Sequence, residues 1–101
     1  MDNNGGRTAL HLAAWQCKDV VATQLVNANA NVNAVNNYGD TPLHWAAYHG
    51  HAIVADLLLM AGANPKAADK FGHTPAQYAE HEGHRDLAER LRQAESRVAS
   101  T

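Results

Sequence analysis

The chain has 101 residues, 46% of them hydrophobic, a formal net charge of −2 and one cysteine. That length makes one domain able to bury a core, and its apolar content excludes a disordered chain. The charge gives no pull toward nucleic acid or an anionic membrane, and a lone Cys17 excludes an internal disulfide and a cysteine-rich metal motif.

The polar start, "MDNNGGR", does not read as a signal peptide, so the cytosol or nucleus is the expected compartment. The first segment with a helix signal is "GRTALHLAAW", beginning at Gly6. It returns as "GDTPLHWAAY" from Gly39 and as "GHTPAQYAEH" from Gly72, placing Thr8, Thr41 and Thr74 at intervals of 33 residues. Ala13, Ala46 and Ala79 keep the same period, as do Val21, Val54 and Leu87, and Leu25, Leu58 and Leu91.

Each unit reads as two short helices. In the middle one, Thr41 suits an N-cap, since its hydroxyl can accept from an orphan amide of the first turn. Pro42 suits the first helical position. The first helix is expected to run to about His49 and to end at Gly50, which can turn left-handed. The second covers about Ala52 to Ala61 and stops at Gly62. Its sequence "AIVADLLLMA" is apolar almost all round, as in a helix covered on several sides, and is too short to span a membrane. Turns closed by Gly39 and Gly72 link the units. In the third unit Leu87, Leu91, Ala94 and Val98 form one narrow stripe and the rest is charged, with Asp86 and Arg90 four apart. That pattern fits the end of a stack. At the other end, Val21 and parts of Leu10 and Leu12 lack a preceding neighbour.

The 33-residue period and the element "TPLHWAA" resemble the ankyrin repeat, from residue 3 to about 95. The resemblance implies an all-α solenoid of stacked helix–loop–helix pairs with β-hairpin-like loops projecting from one edge. It divides the single domain, 1–101, into repeat 1 at 3–35, repeat 2 at 36–68, a capping third repeat at 69–95 and a tail at 96–101. One repeat cannot bury its own apolar face, so neighbours must stack.

The resemblance also makes His11 and His44 structural. They are implied to bond the hydroxyls of Thr8 and Thr41 and backbone carbonyls between repeats, with Thr74 completing the set and Gln77 standing in the histidine column. His51 and His84 fall where the family uses a side chain for loop bonding. "HEGH", from His81 to His84, is one residue short of H-E-x-x-H, and Gly83 should break the helix between its imidazoles. Neither a catalytic residue, a metal ligand nor a cofactor is expected. Cys17 stands in the column of Gly50 and Gly83, where a left-handed non-glycine residue costs about 1–2 kcal/mol.

Ankyrin-like stacks bind partners through hairpin tips and the exposed side of the first helix. Carried onto this chain, the tips are Asn4, Gly5 and Arg7, then Asn37, Tyr38 and Asp40, then Lys70, Phe71 and His73. The first-helix positions are Trp15 and Gln16, Tyr48 and His49, and His81 and Glu82. Aromatic residues at such positions favour binding. Trp45 and Tyr78 share the column of Leu12 and are read as core. The expected function is a non-catalytic, monomeric module that binds another protein or a peptide on its concave face. A structural or designed scaffold without a dedicated partner stays open at this stage, as does a metal-dependent enzyme using the histidines. Asn33 matches the position at which members of the family are hydroxylated.

Overall fold

A computed structural model describes residues 6–99. Six helices follow one another: α1 (Ala9–Trp15), α2 (Asp19–Asn27), α3 (Pro42–His49), α4 (Ala52–Met60), α5 (Pro75–His81) and α6 (Arg85–Ala99). They pair as α1/α2, α3/α4 and α5/α6. The first helices of successive pairs pack on one another, as do α2 and α4. No strand occurs among the described residues; the loops between pairs are narrow turns.

Each pair starts the same way. Thr8, Thr41 and Thr74 are extended N-cap residues, and each hydroxyl accepts from the backbone amide three residues on. This is the reason the threonines recur: an N-cap side chain satisfies an amide that the helix leaves orphaned. The first two pairs also close the same way. Gly62 (φ 97°) follows α4, and the amide of Ala63 reaches back to the Leu58 carbonyl over 2.9 Å. Asn29 takes the equivalent place after α2 with φ 66°, and Ala30 bonds Leu25 likewise. Asparagine tolerates the left-handed region better than most residues.

The core lies between the pairs. Ala13, Ala46 and Ala79 are buried, which lets the first helices approach closely, and Leu43, Leu58 and Leu91 fill the seam. The apolar column through the second helices shows what stacking does. Val54 and Leu87 are 0% and 4% exposed, whereas Val21, with no layer before it among the described residues, is 43% exposed. Leu10, expected to share that exposure, is 1% exposed, on a helix that packs against both α2 and α3.

The last helix runs to Ala99, past the boundary expected at 95. It is amphipathic: Leu87, Ala88 and Leu91 are buried while Arg85, Asp86, Glu89, Arg90 and Arg92 are exposed. Arg90 does not pair with Asp86 along its own helix. It turns to Asp56 on α4, and Arg92 reaches Glu80 on α5. Pairs this exposed contribute about 1 kcal/mol or less, but they tie the outer layer to both neighbours. No helix among the described residues is long and apolar enough to cross a membrane.

Candidate functional site

Two sets of imidazoles brace the layers. At the start of α3, the Thr41 amide and hydroxyl both lie on His44 Nδ1, at 3.0 and 2.9 Å. The amide can only donate, so Nδ1 is the acceptor nitrogen and Nε2 carries the proton. Nε2 then donates to the His73 carbonyl in the next hairpin, 2.9 Å away. His11 repeats the arrangement with Thr8 and the Asp40 carbonyl, at 2.7 Å. Burial holds the pKa of both rings below the ordinary histidine value. Gln77 receives the Thr74 amide on Oε1 at 2.9 Å, so it closes the same cap. Farther along, His51 reaches the Trp15 carbonyl and His84 the Tyr48 carbonyl, at 3.0 and 3.2 Å. Those carbonyls end the preceding first helices and have no intrahelical partner. Asn33 is a third brace: its carboxamide donates to the Gly62 carbonyl and accepts from the Asn64 amide.

The hairpins are built on an equally periodic device. Asn36 Oδ1 accepts from the amides of Tyr38 and Asp40, and Asp69 Oδ1 accepts from Phe71 and His73, all at 2.9–3.0 Å. Both side chains are buried. Adjacent hairpins join through the Lys70 amide and the Tyr38 carbonyl, 2.9 Å apart. This brings Tyr38 and Phe71 into a stacked pair with centroids 6.4 Å apart and both rings exposed.

Between the hairpins and the first helices lies an open cleft of about 340 Å³. Trp15, Tyr48 and His49 line it. Trp45 and Tyr78 line it too, contrary to their reading as core: both are only half-buried. Trp15 and Trp45 meet edge to face at 6.3 Å, and Tyr48 and Tyr78 at 6.0 Å. Arg7 and Asp40 are half-buried in the cleft wall. The expectation for Asn4 lies outside the described residues. Asn37, Lys70 and His73 are exposed on the hairpins, with the His73 ring 5.2 Å from Tyr78. Gln16, His81 and Glu82 are exposed at the ends of first helices and do not line the cleft; His81 bonds Glu82 at 3.2 Å.

Asp40 and Asp69 were not read as partners from sequence, yet their carboxylates and the His44 ring come within 4.8 Å of one another. Asp69 takes the hydroxyl of Tyr78 on its other oxygen. Burial alone would raise its pKa, but the donors from Tyr78, His73 and Phe71 outweigh burial and hold it at about 2. At Asp40 the donors, Trp45 and Asn36, are too weak to offset what raises it. Burial, and then the neighbouring Asp69, push it up to about 7, and its Oδ1 is buried without a hydrogen-bond partner. Any proton the two carboxylates share therefore resides on Asp40. The trio is a poor cation cage. Both nitrogens of His44 are engaged, and both oxygens of Asp69 already accept bonds, which leaves only Asp40 free to ligate. The signal for Asp69 was present in the chain: it shares a 33-residue column with Asn36.

Comparison with protein families matches the model for ankyrin repeats, described as three copies, to residues 1–69 and again to 21–100. A search of curated proteins finds no match.

Proposed function

The chain belongs to the ankyrin repeat family, and from that premise we propose that it is a non-catalytic, monomeric module of the cytosol or nucleus, binding a protein or peptide through its hairpins and first helices. Ankyrin repeats as a family bind other proteins. The single observation that carries the finer reading is the concentration of aromatic surface on one side. Trp15, Trp45, Tyr48 and Tyr78 wall one cleft, and the stacked Tyr38 and Phe71 rings lie exposed on the hairpins of the same repeats. Large rings left in water are costly unless another molecule covers them, and they are enriched where binding energy concentrates. The polar groups around the histidines serve the frame, which argues against a reaction centre there.

The experiment is affinity capture from cell extract with the intact chain and with a variant carrying Trp15→Ala, Tyr48→Ala and Phe71→Ala together. The three rings are exposed, so the variant should keep the parent's circular dichroism and lose its captured partner. Equal capture by both proteins defeats this site assignment.

A further inference from the structure

We propose that the cleft receives an arginine side chain from an extended segment of the partner protein, its guanidinium lying against the aromatic walls beside the Asp40 carboxylate. This rests on the reading of the chain as an interaction module and names what that site takes.

Three observations carry it. The first is the wall. Trp15, Trp45, Tyr48 and Tyr78 converge on one open cleft as two edge-to-face pairs. Ring faces are the negative part of the aromatic quadrupole and attract cations. The second is the charge beside the wall. Asp40 lines the cleft, and the Asp69 carboxylate comes within 4.8 Å of its own. No cation of the chain forms an ion pair with either carboxylate among the described residues. The position of the Asp40 proton fits the same picture, because a carboxyl held near neutrality by burial and a like charge ionises when a cation arrives. The third is the state of the neighbouring imidazoles. His44 uses both nitrogens within the frame, and burial lowers the pKa of His44 and His49, so neither opposes a cation at neutral pH.

Arginine fits better than lysine. A guanidinium is planar, more weakly hydrated than an ammonium, and stacks on aromatic faces while offering its edge to a carboxylate. Arg7 is the one permanent positive charge in the lining, and it gives the proposal a sign. If the cleft takes a cation, Arg7 opposes binding; if it takes an anion, Arg7 drives it.

The test uses the intact chain and the probe acetyl-Gly-Arg-Gly-amide, followed by the fluorescence of Trp15 and Trp45, the only tryptophans in the sequence. The controls are the same peptide with citrulline, which keeps the shape and removes the charge, and with glutamate. The arginine probe should saturate the signal, and citrulline should bind about tenfold more weakly. Asp40→Asn should weaken the arginine probe by a similar factor, and Arg7→Met should strengthen it. Circular dichroism and the melting temperature show whether each variant is folded; if Asp40→Asn does not fold, Arg7→Met and the citrulline control still decide. Equal binding of arginine and citrulline overturns the proposal, as does glutamate binding that Arg7→Met abolishes. Loss of captured partner in the triple aromatic variant, with no binding of the arginine probe, sinks the proposal and leaves the interaction-module reading standing.

Discussion

The imidazole of His44 donates from Nε2 to the backbone carbonyl of His73, 2.9 Å away, and so joins the start of one helix pair to the hairpin of the next. The same ring closes its own helix cap through Nδ1. One side chain thus spends its acceptor locally and its donor across the layer boundary, which only a neutral ring of a single tautomer can do.

His44→Gln separates the two tasks. Glutamine can keep the cap, as Gln77 does at Thr74, but its carboxamide does not reproduce the span to the His73 carbonyl. The His73 carbonyl keeps the Asp69 amide but loses the imidazole donor, at a cost of about 0.5–1.5 kcal/mol. Urea unfolding checks this, and a variant as stable as its parent would show that the inter-layer bond contributes nothing.

Stability should depend on pH through groups of opposite sign. His11 and His44 have pKa values lowered by burial, so the unfolded chain takes up protons first as pH falls below the ordinary value of 6.5, and stability declines there. Asp40 has the opposite sign. Its folded pKa of about 7 lies above the ordinary aspartate value of 3.8, so the stability linked to its proton is complete below about 3.8 and is lost as pH rises through about 7. The groups that face it are Asp69, His44, Arg7, Trp45 and Tyr78. Asp40→Asn should therefore exceed the parent in stability at pH 8, by a margin that shrinks toward pH 5. Chemical denaturation at several pH values reads this directly, and a constant margin would mean that the carboxyl does not titrate in that interval.

Cys17 and Gly50 hold equivalent positions and should respond in opposite directions. Cys17 sits at φ 57° and Gly50 at φ 73°. Cys17→Gly removes a side chain from left-handed backbone and should stabilise the domain by about 1 kcal/mol. Gly50→Ala adds that strain and also drives a Cβ to 2.7 Å from the His84 ring. That would displace the bond from His84 to the Tyr48 carbonyl, for a total loss of about 2–3 kcal/mol. Melting temperatures of the two variants give the comparison; a destabilised Cys17→Gly would contradict the backbone strain assigned to Cys17.

Much of the frame was legible in the sequence. Thr8, Thr41 and Thr74 with the glycines and alanines around them set the helix starts, ends and close contacts through interactions that reach only a few residues. The resemblance to ankyrin repeats supplied the inter-repeat role of His11 and His44, and the geometry places their bonds where that role requires. The cleft was less legible. Trp45 and Tyr78 share a column with Leu12, and a column cannot say whether a ring lies under its neighbours or at the rim of an opening. Arg7 and Asp40 were placed on the hairpins, but a column does not give their depth in the cleft wall. Arg90 found Asp56 rather than Asp86, since the helix beside it offered a carboxylate that linear spacing does not reveal.

By itself the amino-acid order determined the period, the caps and the need for layers to stack, because those follow from local hydrogen bonding and from apolar faces that one repeat cannot cover. Only the tertiary structure decided that Asp40 stands against Asp69 and that four rings from three repeats wall one cleft. Those partners are far apart in the chain, and they meet only where the layers come to rest at their packing distance.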